Sequence, residues 1–411
     1  MQKFKSDFFG GNMKKYSKTI PDGMRDIIFD ETIVIKDVEK RVNALFEKQG
    51  FRRIITPTLE YYDAFEVDGS LLAQEDMYKL SDNTGKLVVL RPDNTTPIAR
   101  IAGMSLKNQQ LPLLIYYSQN IFRINSDYSG KRNEIFQGGV EIIGADGAVA
   151  DMICLETAFS VFSELFGEDE DYCIEISHTG FFKALIDELE LSEDEKKKII
   201  SATARRDFTN IFFTDNPAYA EAEKIISALP SLFGGFEVIE KGKELAKNNK
   251  IALESLDYVY KIYKMFIDAG YGNKIKIDLG IAQKIEYYTG LVFKGYVNDA
   301  GEPVISGGRY DNLTKHFGAE YAAVGFAANL NALASVLEHK SKRSCAPPEA
   351  LIVFDENNFD KAVKIPGKLG LSSFEFSCIS DLDKARKYAE NRKITKIISV
   401  SVSGEEEIKL I

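Results

Sequence analysis

From Asp30 to Gln49 the apolar residues Ile33, Val34, Ile35, Val38, Val42, Leu45 and Phe46 recur at close to helical spacing, and the run ends at Gly50. One face of this segment is hydrocarbon and the other charged, which predicts an amphipathic helix. Phe51 to Ile55 then reads as a strand, broken by Thr56-Pro57. Strand-like stretches bounded by turn residues follow around Met77–Leu80, Leu87–Leu90, Leu114–Ile124, Asn133–Ile143 and Lys274–Leu279. Short strand pairs with few crossover helices point to an antiparallel sheet.

Helical patterning returns at Asp151–Phe166 and fills most of His178–Ala269, where charged runs alternate with apolar ridges. The run Glu193 to Lys198 balances acids against lysines, as a solvated helix face does. After Lys340 the chain turns polar and reaches Pro347-Pro348, a linker signal. Beyond it, strands at Ala350–Phe354, Phe374–Ile379 and Ile394–Val402 alternate with helices at Asn358–Leu369 and Leu382–Arg392, predicting a small α/β unit of mainly parallel pairing. The expected organisation is an N-terminal tail (1–18), a core split between 19–177 and 274–340, a helical insertion (178–273), a linker (341–348) and a small α/β domain (349–411).

Composition narrows the functional classes. A chain of 411 residues with 45% hydrophobic and 28% charged residues supports two or three ordinary globular domains. A net charge of −10, spread along the chain, lacks the basic footprint of a nucleic-acid binder. Cys154, Cys173, Cys345 and Cys378 are widely spaced, and with His178, His316 and His339 they form no metal-ligand pattern. Reduced thiols in a cytoplasmic protein are the expectation. No apolar run reaches the roughly 18 residues of a membrane helix, and the start of the chain has no signal-peptide core.

Four segments carry candidate chemistry. In Leu90-Arg91-Pro92-Asp93-Asn94-Thr95-Thr96, Asp93 and Thr95 are two apart, so in an extended chain both face one side and can accept from an ammonium group. The same residues also fit a capped turn that starts a helix at Thr96-Pro97. Phe122-Arg123 and the returning Glu134 to Glu141 form a hairpin-like unit placing Arg123, Gln137 and Glu141 on one concave face. A buried Glu141 needs a cation or a donor such as an imidazole N–H; surface placement is the alternative. Tyr287 and Tyr288 offer flat walls with hydroxyl tips for a planar heterocycle, or ordinary core packing. Gly307 and Gly308 allow close approach of backbone to a ligand. There is no nucleophile–base pair, Walker loop or dinucleotide fingerprint.

Taken in order, Leu90-Arg-Pro-Asp-Asn-Thr, the Arg123–Glu141 hairpin, Glu286-Tyr-Tyr-Thr, Gly307-Gly-Arg-Tyr-Asp and Val324-Gly-Phe-Ala resemble class II histidyl-tRNA synthetases over residues ~20 to 335. The resemblance implies an α+β fold: a class II aminoacyl-tRNA synthetase-like antiparallel sheet flanked by helices, with a helical insertion and a small C-terminal α/β domain. By position it assigns Asp93, Thr95 and Gln137 to a histidine α-amino group, Glu141 and Tyr288 to the imidazole, and Arg123 to the ATP α-phosphate and the carboxylate. Ile54-Ile55-Thr56-Pro57 resembles the motif that builds a dimer interface.

The departures fall on the ATP-directed side. Gln283 stands where synthetases carry a catalytic arginine, Ala332 where an arginine clamps the triphosphate, and Asn133 where the motif 2 loop has a third, although a one-residue slip would make that Arg132. One lost preorganised cation costs about 10²–10³ in rate, and Lys284 is a poor substitute for a guanidinium fork. The C-terminal unit has near-balanced charge and an acidic Glu405-Glu406-Glu407, against the bias expected of a tRNA-binding domain.

These losses are similar to those of the synthetase paralogues that serve as regulatory subunits of ATP phosphoribosyltransferase. That likeness implies no catalytic residues, no cofactor and no metal. It also implies L-histidine as ligand and a homodimer within a hetero-octamer-like assembly with the short-form catalytic subunit. A divergent active synthetase using Lys284 and Arg132, and a stand-alone amino-acid-binding adaptor, are the alternatives.

Overall fold

The structure, a computed structural model, describes residues 18–66, 74–125, 132–167, 171–205, 217–281, 288–341 and 346–409. The chain separates into two compact units, Met1–Lys342 and Arg343–Ile411. The first opens with α1 (Asp30–Lys48), β1 (Arg52–Arg53), β2 (Leu59–Tyr61), β3 (Lys79–Ser81), β4 (Leu87–Leu90), α2 (Thr95–Met104), β5 (Leu113–Phe122), β6 (Glu134–Ile143), α3 (Ala148–Phe166) and β7 (Tyr172–His178). Helices α4 (Thr179–Asp187), α5 (Glu193–Arg205), α6 (Pro217–Ala228), α7 (Glu237–Ala246) and α8 (Lys250–Asp268) follow, with the two-residue β8 (Phe233–Gly234) between α6 and α7. The unit closes with β9 (Ile275–Asp278), β10 (Leu291–Val297), β11 (Ile305–Arg309), β12 (Ala323–Asn329) and α9 (Leu330–Ser341).

Nine of these strands form one sheet in the order β1-β5-β6-β12-β11-β10-β7-β9-β8. Its pairs are antiparallel except β1 with β5 and β7 with β9. Strand alternation sorts the sheet into two faces. Tyr116, Val140, Ile142, Phe293, Val324 and Phe326 point into a large cluster with Val34, Val38, Val42 and Phe46 of α1 and with residues of α3, α4, α7, α8 and α9. Ile115, Tyr117, Ile143, Tyr310 and Ala323 take the other face, covered by Ile98, Ala99 and Ala102 of α2. Val140 and Ile142 face the first cluster, so Glu141 between them must face the second side.

The predicted strand at Phe51–Ile55 is reduced to Arg52–Arg53, because Thr56 and Arg91 divert the chain. Arg91 Nη1 donates to Thr56 O at 2.9 Å, and Gln119 Nε2 donates to the same oxygen at 2.9 Å. Strands β7, β8, β10, β11 and β12 of this sheet were not anticipated, although Tyr172, Ile174 and Ile176 alternate as strand residues do. The Glu193–Lys198 run opens α5, where Lys196 pairs with Glu193 at 3.3 Å.

The second unit consists of β13 (Ala350–Phe354), α10 (Phe359–Ala362), α11 (Ile365–Leu369), β14 (Phe374–Phe376), α12 (Leu382–Asn391), β15 (Lys396–Ser401) and β16 (Gly404–Lys409). Its sheet runs β14-β13-β15-β16. The first two pairs are parallel, as expected of strand–helix alternation, and the last is an antiparallel hairpin. Glu405, Glu406 and Glu407 lie on that hairpin, with Glu407 paired to Lys396 at 3.2 Å. No described helix is long and apolar enough to cross a membrane, and no group of three metal-ligating side chains occurs among the described residues.

Candidate functional site

A cavity of about 700 Å³ opens on the second face of the large sheet, lined from β5, β6, β12, the start of α2, the start of α9 and the β10–β11 turn. The face is hollow because its residues are small. Gly308 pairs with Gly325, and Gly325 pairs with Glu141. A Cβ on Gly325 would overlap the Glu141 carboxylate and come within 2.5 Å of Val140 O. Gly307 and Gly308 do not themselves line the cavity. Gly308 instead seats the Tyr288 ring, since a Cβ there would lie 2.8 Å from Tyr288 Cδ1.

Asp93, Thr95, Arg123, Gln137, Glu141 and Tyr288 all line this cavity. Asp93 and Thr95 reach it by a route the extended-chain reading missed. Thr95 is the first residue of α2, and Asp93 Oδ1 accepts from Thr96 N at 2.7 Å, capping the helix. The capped-turn reading and the cavity-lining reading therefore hold together. Burial pushes the Asp93 carboxyl upward, opposed by its bonds to Thr96 and by the charge of Arg123. Arg123 is held by Nε donating to Pro92 O at 2.7 Å.

Glu141, 1% exposed, is the most constrained group. Thr95 Oγ1 donates to its Oε1 at 2.9 Å and the Tyr310 hydroxyl to its Oε2 at 2.5 Å. Burial raises its pKa to about 8 despite those two bonds, and the charge of Asp93 adds to the rise. Burial thus favours the protonated carboxyl, which can donate a hydrogen bond as well as accept one.

The wall formed by α9 is built differently. Helix α9 brings Asn331 and Ala332 of its first turn, and Ser335 and His339 further along, to the wall. Asn329 Oδ1 accepts from Ala332 N at 3.1 Å, and Asn331 Oδ1 accepts from Phe136 N at 2.7 Å. Among the described lining residues the arginines are Arg123 and Arg132. Asn133 points elsewhere: its Nδ2 donates to Asp22 O at 3.0 Å and Tyr78 Oη at 2.9 Å, and its Oδ1 accepts from Asn125 N at 3.0 Å. At this step of the hairpin Arg132 takes the cavity side, so Asn133 removes no cation from the wall. Gln283, Lys284 and Tyr287 lie outside the described residues.

Arg309 of the Gly-Gly-Arg-Tyr-Asp run does not serve the cavity. Its Nε and Nη2 donate to Asp151 Oδ1 at 2.9 and 2.5 Å, and Nη1 donates to Asp311 Oδ1 at 3.0 Å. Burial would lower the guanidinium pKa, but bonding to and the charges of Asp151 and Asp311 raise it instead. Tyr258 of α8 donates to Asp151 Oδ2 at 2.5 Å, so one buried network joins β11, α3 and α8.

Asn94, Tyr117 and Tyr310 are among the lining residues that the sequence reading did not nominate. Tyr310 was inside a quoted motif and its aromatic type was the available signal. Tyr117 comes opposite Gly139, within electrostatic reach of Glu141, only through strand register, which no local pattern announces.

Residues 23–333 match the family model for histidyl-tRNA synthetase. An ATP phosphoribosyltransferase regulatory subunit from Clostridium botulinum (strain Langeland) is 39% identical over 403 residues, covering 96% of this chain and 94% of that one. Its counterpart from Clostridium acetobutylicum is 37% identical, covering 94% and 96%. Among solved structures, an ATP phosphoribosyltransferase regulatory subunit/histidyl-tRNA synthetase from Bacillus halodurans C superposes with a TM-score of 0.77 at 26% identity, covering 93% of this chain and 98% of that one. A histidyl-tRNA synthetase from Nostoc shares the fold at a TM-score of 0.71 and 19% identity, covering 95% and 97%. With the synthetase-like fold and near full-length likeness to these relatives, the chain belongs to the ATP phosphoribosyltransferase regulatory subunit family, a histidyl-tRNA synthetase-like lineage.

Proposed function

We propose that this chain is the non-catalytic regulatory subunit of a short-form ATP phosphoribosyltransferase, at the first step of L-histidine biosynthesis in the cytoplasm. It supports the activity of the catalytic subunit and carries feedback inhibition by histidine. The observation that carries this reading is the asymmetry of one cavity: Asp93, Thr95, Gln137, Glu141 and Tyr288 converge at one end, while Ala332 and Asn331 occupy the wall where a triphosphate would need cations. L-histidine fills the amino-acid end, with its ammonium toward Asp93 and Gln137 and its ring toward Glu141 and Tyr288. The chain works as a homodimer inside a hetero-octamer-like assembly with catalytic subunits. By linkage, histidine inhibits only by binding the inhibited assembly more tightly than the active one.

Purified chain mixed with a short catalytic subunit is expected to raise phosphoribosyl transfer and make it histidine-sensitive; no change in either would overturn the reading. Arg132 on the cavity wall is the single observation that favours residual adenylation. Histidine-dependent ATP–pyrophosphate exchange tests it, and the expected rate is indistinguishable from buffer.

A further inference from the structure

In the second unit, Ala350, Ile352 and Phe354 of β13 share one face of the sheet with Phe374 and Phe376 of β14 and with Ile398 and Val400 of β15. Ala362 of α10 and Ile365 of α11 cover the middle of that face. Both helices are tied toward the β15–β16 side, where Lys361 Nζ donates to Val402 O at 3.0 Å and Lys368 pairs with Glu405 at 2.5 Å. The β14 end stays open: Phe374 is 41% exposed, Phe376 36% and Phe359 58%. These rings form one chain of contacts, with centroids 5.2 Å apart for Phe374 and Phe376, 5.8 Å for Phe376 and Phe354, and 6.0 Å for Phe354 and Phe359. Contiguous exposed apolar surface of this kind marks an interaction site.

The two edges of this sheet differ in how they are guarded. Strand β16 carries Glu405, Glu406, Glu407 and Lys409, charges that deter pairing with another chain. Strand β14 has no such guard. Ser373 O accepts from Glu349 N and Ser377 N donates to Ile352 O, so the period of two turns the backbone N–H and C=O of Phe374 and Phe376 away from β13, to the free edge. Glu375 between them lies on the opposite face, held by the Tyr388 hydroxyl at 2.6 Å and by Arg392 at 3.5 Å. Where Phe376 meets Phe354, the adjoining residues 355–360 carry Asp355, Glu356 and Asp360 and no base. The carboxylates of Glu356 and Asp360 have no hydrogen bond or ion pair among the described residues.

We propose that β14 is a docking edge: an extended segment of a partner protein adds to the four-stranded sheet as a fifth strand, with apolar side chains at alternate positions over Phe374 and Phe376 and a basic residue against Glu356 and Asp360. The backbone groups of Phe374 and Phe376 supply the ladder, the open aromatic face selects apolar side chains at a period of two, and the unpaired acids fix which end of the segment is basic. The proposal is independent of the cavity and its ligand.

Fluorescence anisotropy of the full chain with the labelled peptide Lys-Thr-Val-Thr-Val-Thr-Lys, basic at both ends so that either strand direction is served, tests this. The peptide is expected to bind, and N-methylation of its alternate residues in one of the two frames to weaken it at least about tenfold, because that frame loses the ladder. Replacing both lysines by glutamate should weaken it by about tenfold as well. Phe376→Ser in the protein should reduce binding by about tenfold. Asp360→Lys, an exposed change that serves if the serine variant fails to fold, should weaken the lysine peptide and tighten the glutamate one. Peptides N-methylated in both frames that bind like the parent would show that no strand is added and overturn the proposal. So would variants that bind as the wild type does, or a wild-type chain that binds no peptide. Self-association in sedimentation that Phe376→Ser abolishes, without peptide binding, would make the occupant a second copy of this chain and overturn it too.

Discussion

Glu141 on β6 faces Gly325 on β12 across one ladder position, and the carboxylate occupies the volume a side chain at 325 would need. The remaining contacts of that carboxylate come from far along the chain, Thr95 at the start of α2 and Tyr310 just after β11. Three segments thus fix one acid at the floor of the cavity. Its orientation is set before any ligand arrives, which lowers the ordering cost of binding.

The buried Glu141 should make stability fall with pH. Its folded pKa of about 8 lies above the ordinary 4.5, so the native state holds the proton more tightly than the unfolded chain. The resulting stabilisation is complete below about 4.5 and is lost as pH rises through about 8, with an upper magnitude on the order of 5 kcal/mol. Glu141→Gln removes this slope. Urea midpoints of both proteins from pH 5 to 9 should diverge as pH rises, and parallel curves would show that another group governs the trend.

Gly325→Ala should destabilise the first unit by about 2–4 kcal/mol, because the new methyl meets the Glu141 carboxylate and the Val140 carbonyl, which is rigid backbone. Chemical denaturation gives the cost. A milder loss in Gly325→Ala combined with Glu141→Ala would confirm that the acid accounts for part of it.

Arg309→Met leaves Asp151 buried, 0% exposed, with only Tyr258 as donor. Removing one partner of a buried pair costs about 3–5 kcal/mol. Tyr258→Phe should cost about 1 kcal/mol. A double-mutant cycle between Arg309 and Asp151 measures their coupling, and a coupling near zero would contradict the network.

Ala332→Arg places a cation on the first turn of α9, on the cavity wall. ATP binding should tighten by about tenfold, the effect of one charge-assisted contact. Competition against a fluorescent ATP analogue reads this directly; unchanged affinity would mean that position 332 does not reach the phosphates.

Much of this protein could be read from its residues alone. The helical period of Asp30–Gln49 and the strands at Leu87–Leu90 and Asn133–Ile143 are local patterns, and α1, β4 and β6 follow them within a residue or two. Asp93, Thr95, Arg123, Gln137, Glu141 and Tyr288 could be nominated from motif order, and they line one cavity. Tertiary structure decided the rest, because it depends on register and on which side of a strand a residue takes. It turned Arg132 to the cavity and Asn133 to the Asp22 turn, gave Arg309 to Asp151, and set Tyr117 and Asn94 on the cavity wall. A side chain's neighbours across a sheet come from segments up to hundreds of residues away, so no local pattern encodes them.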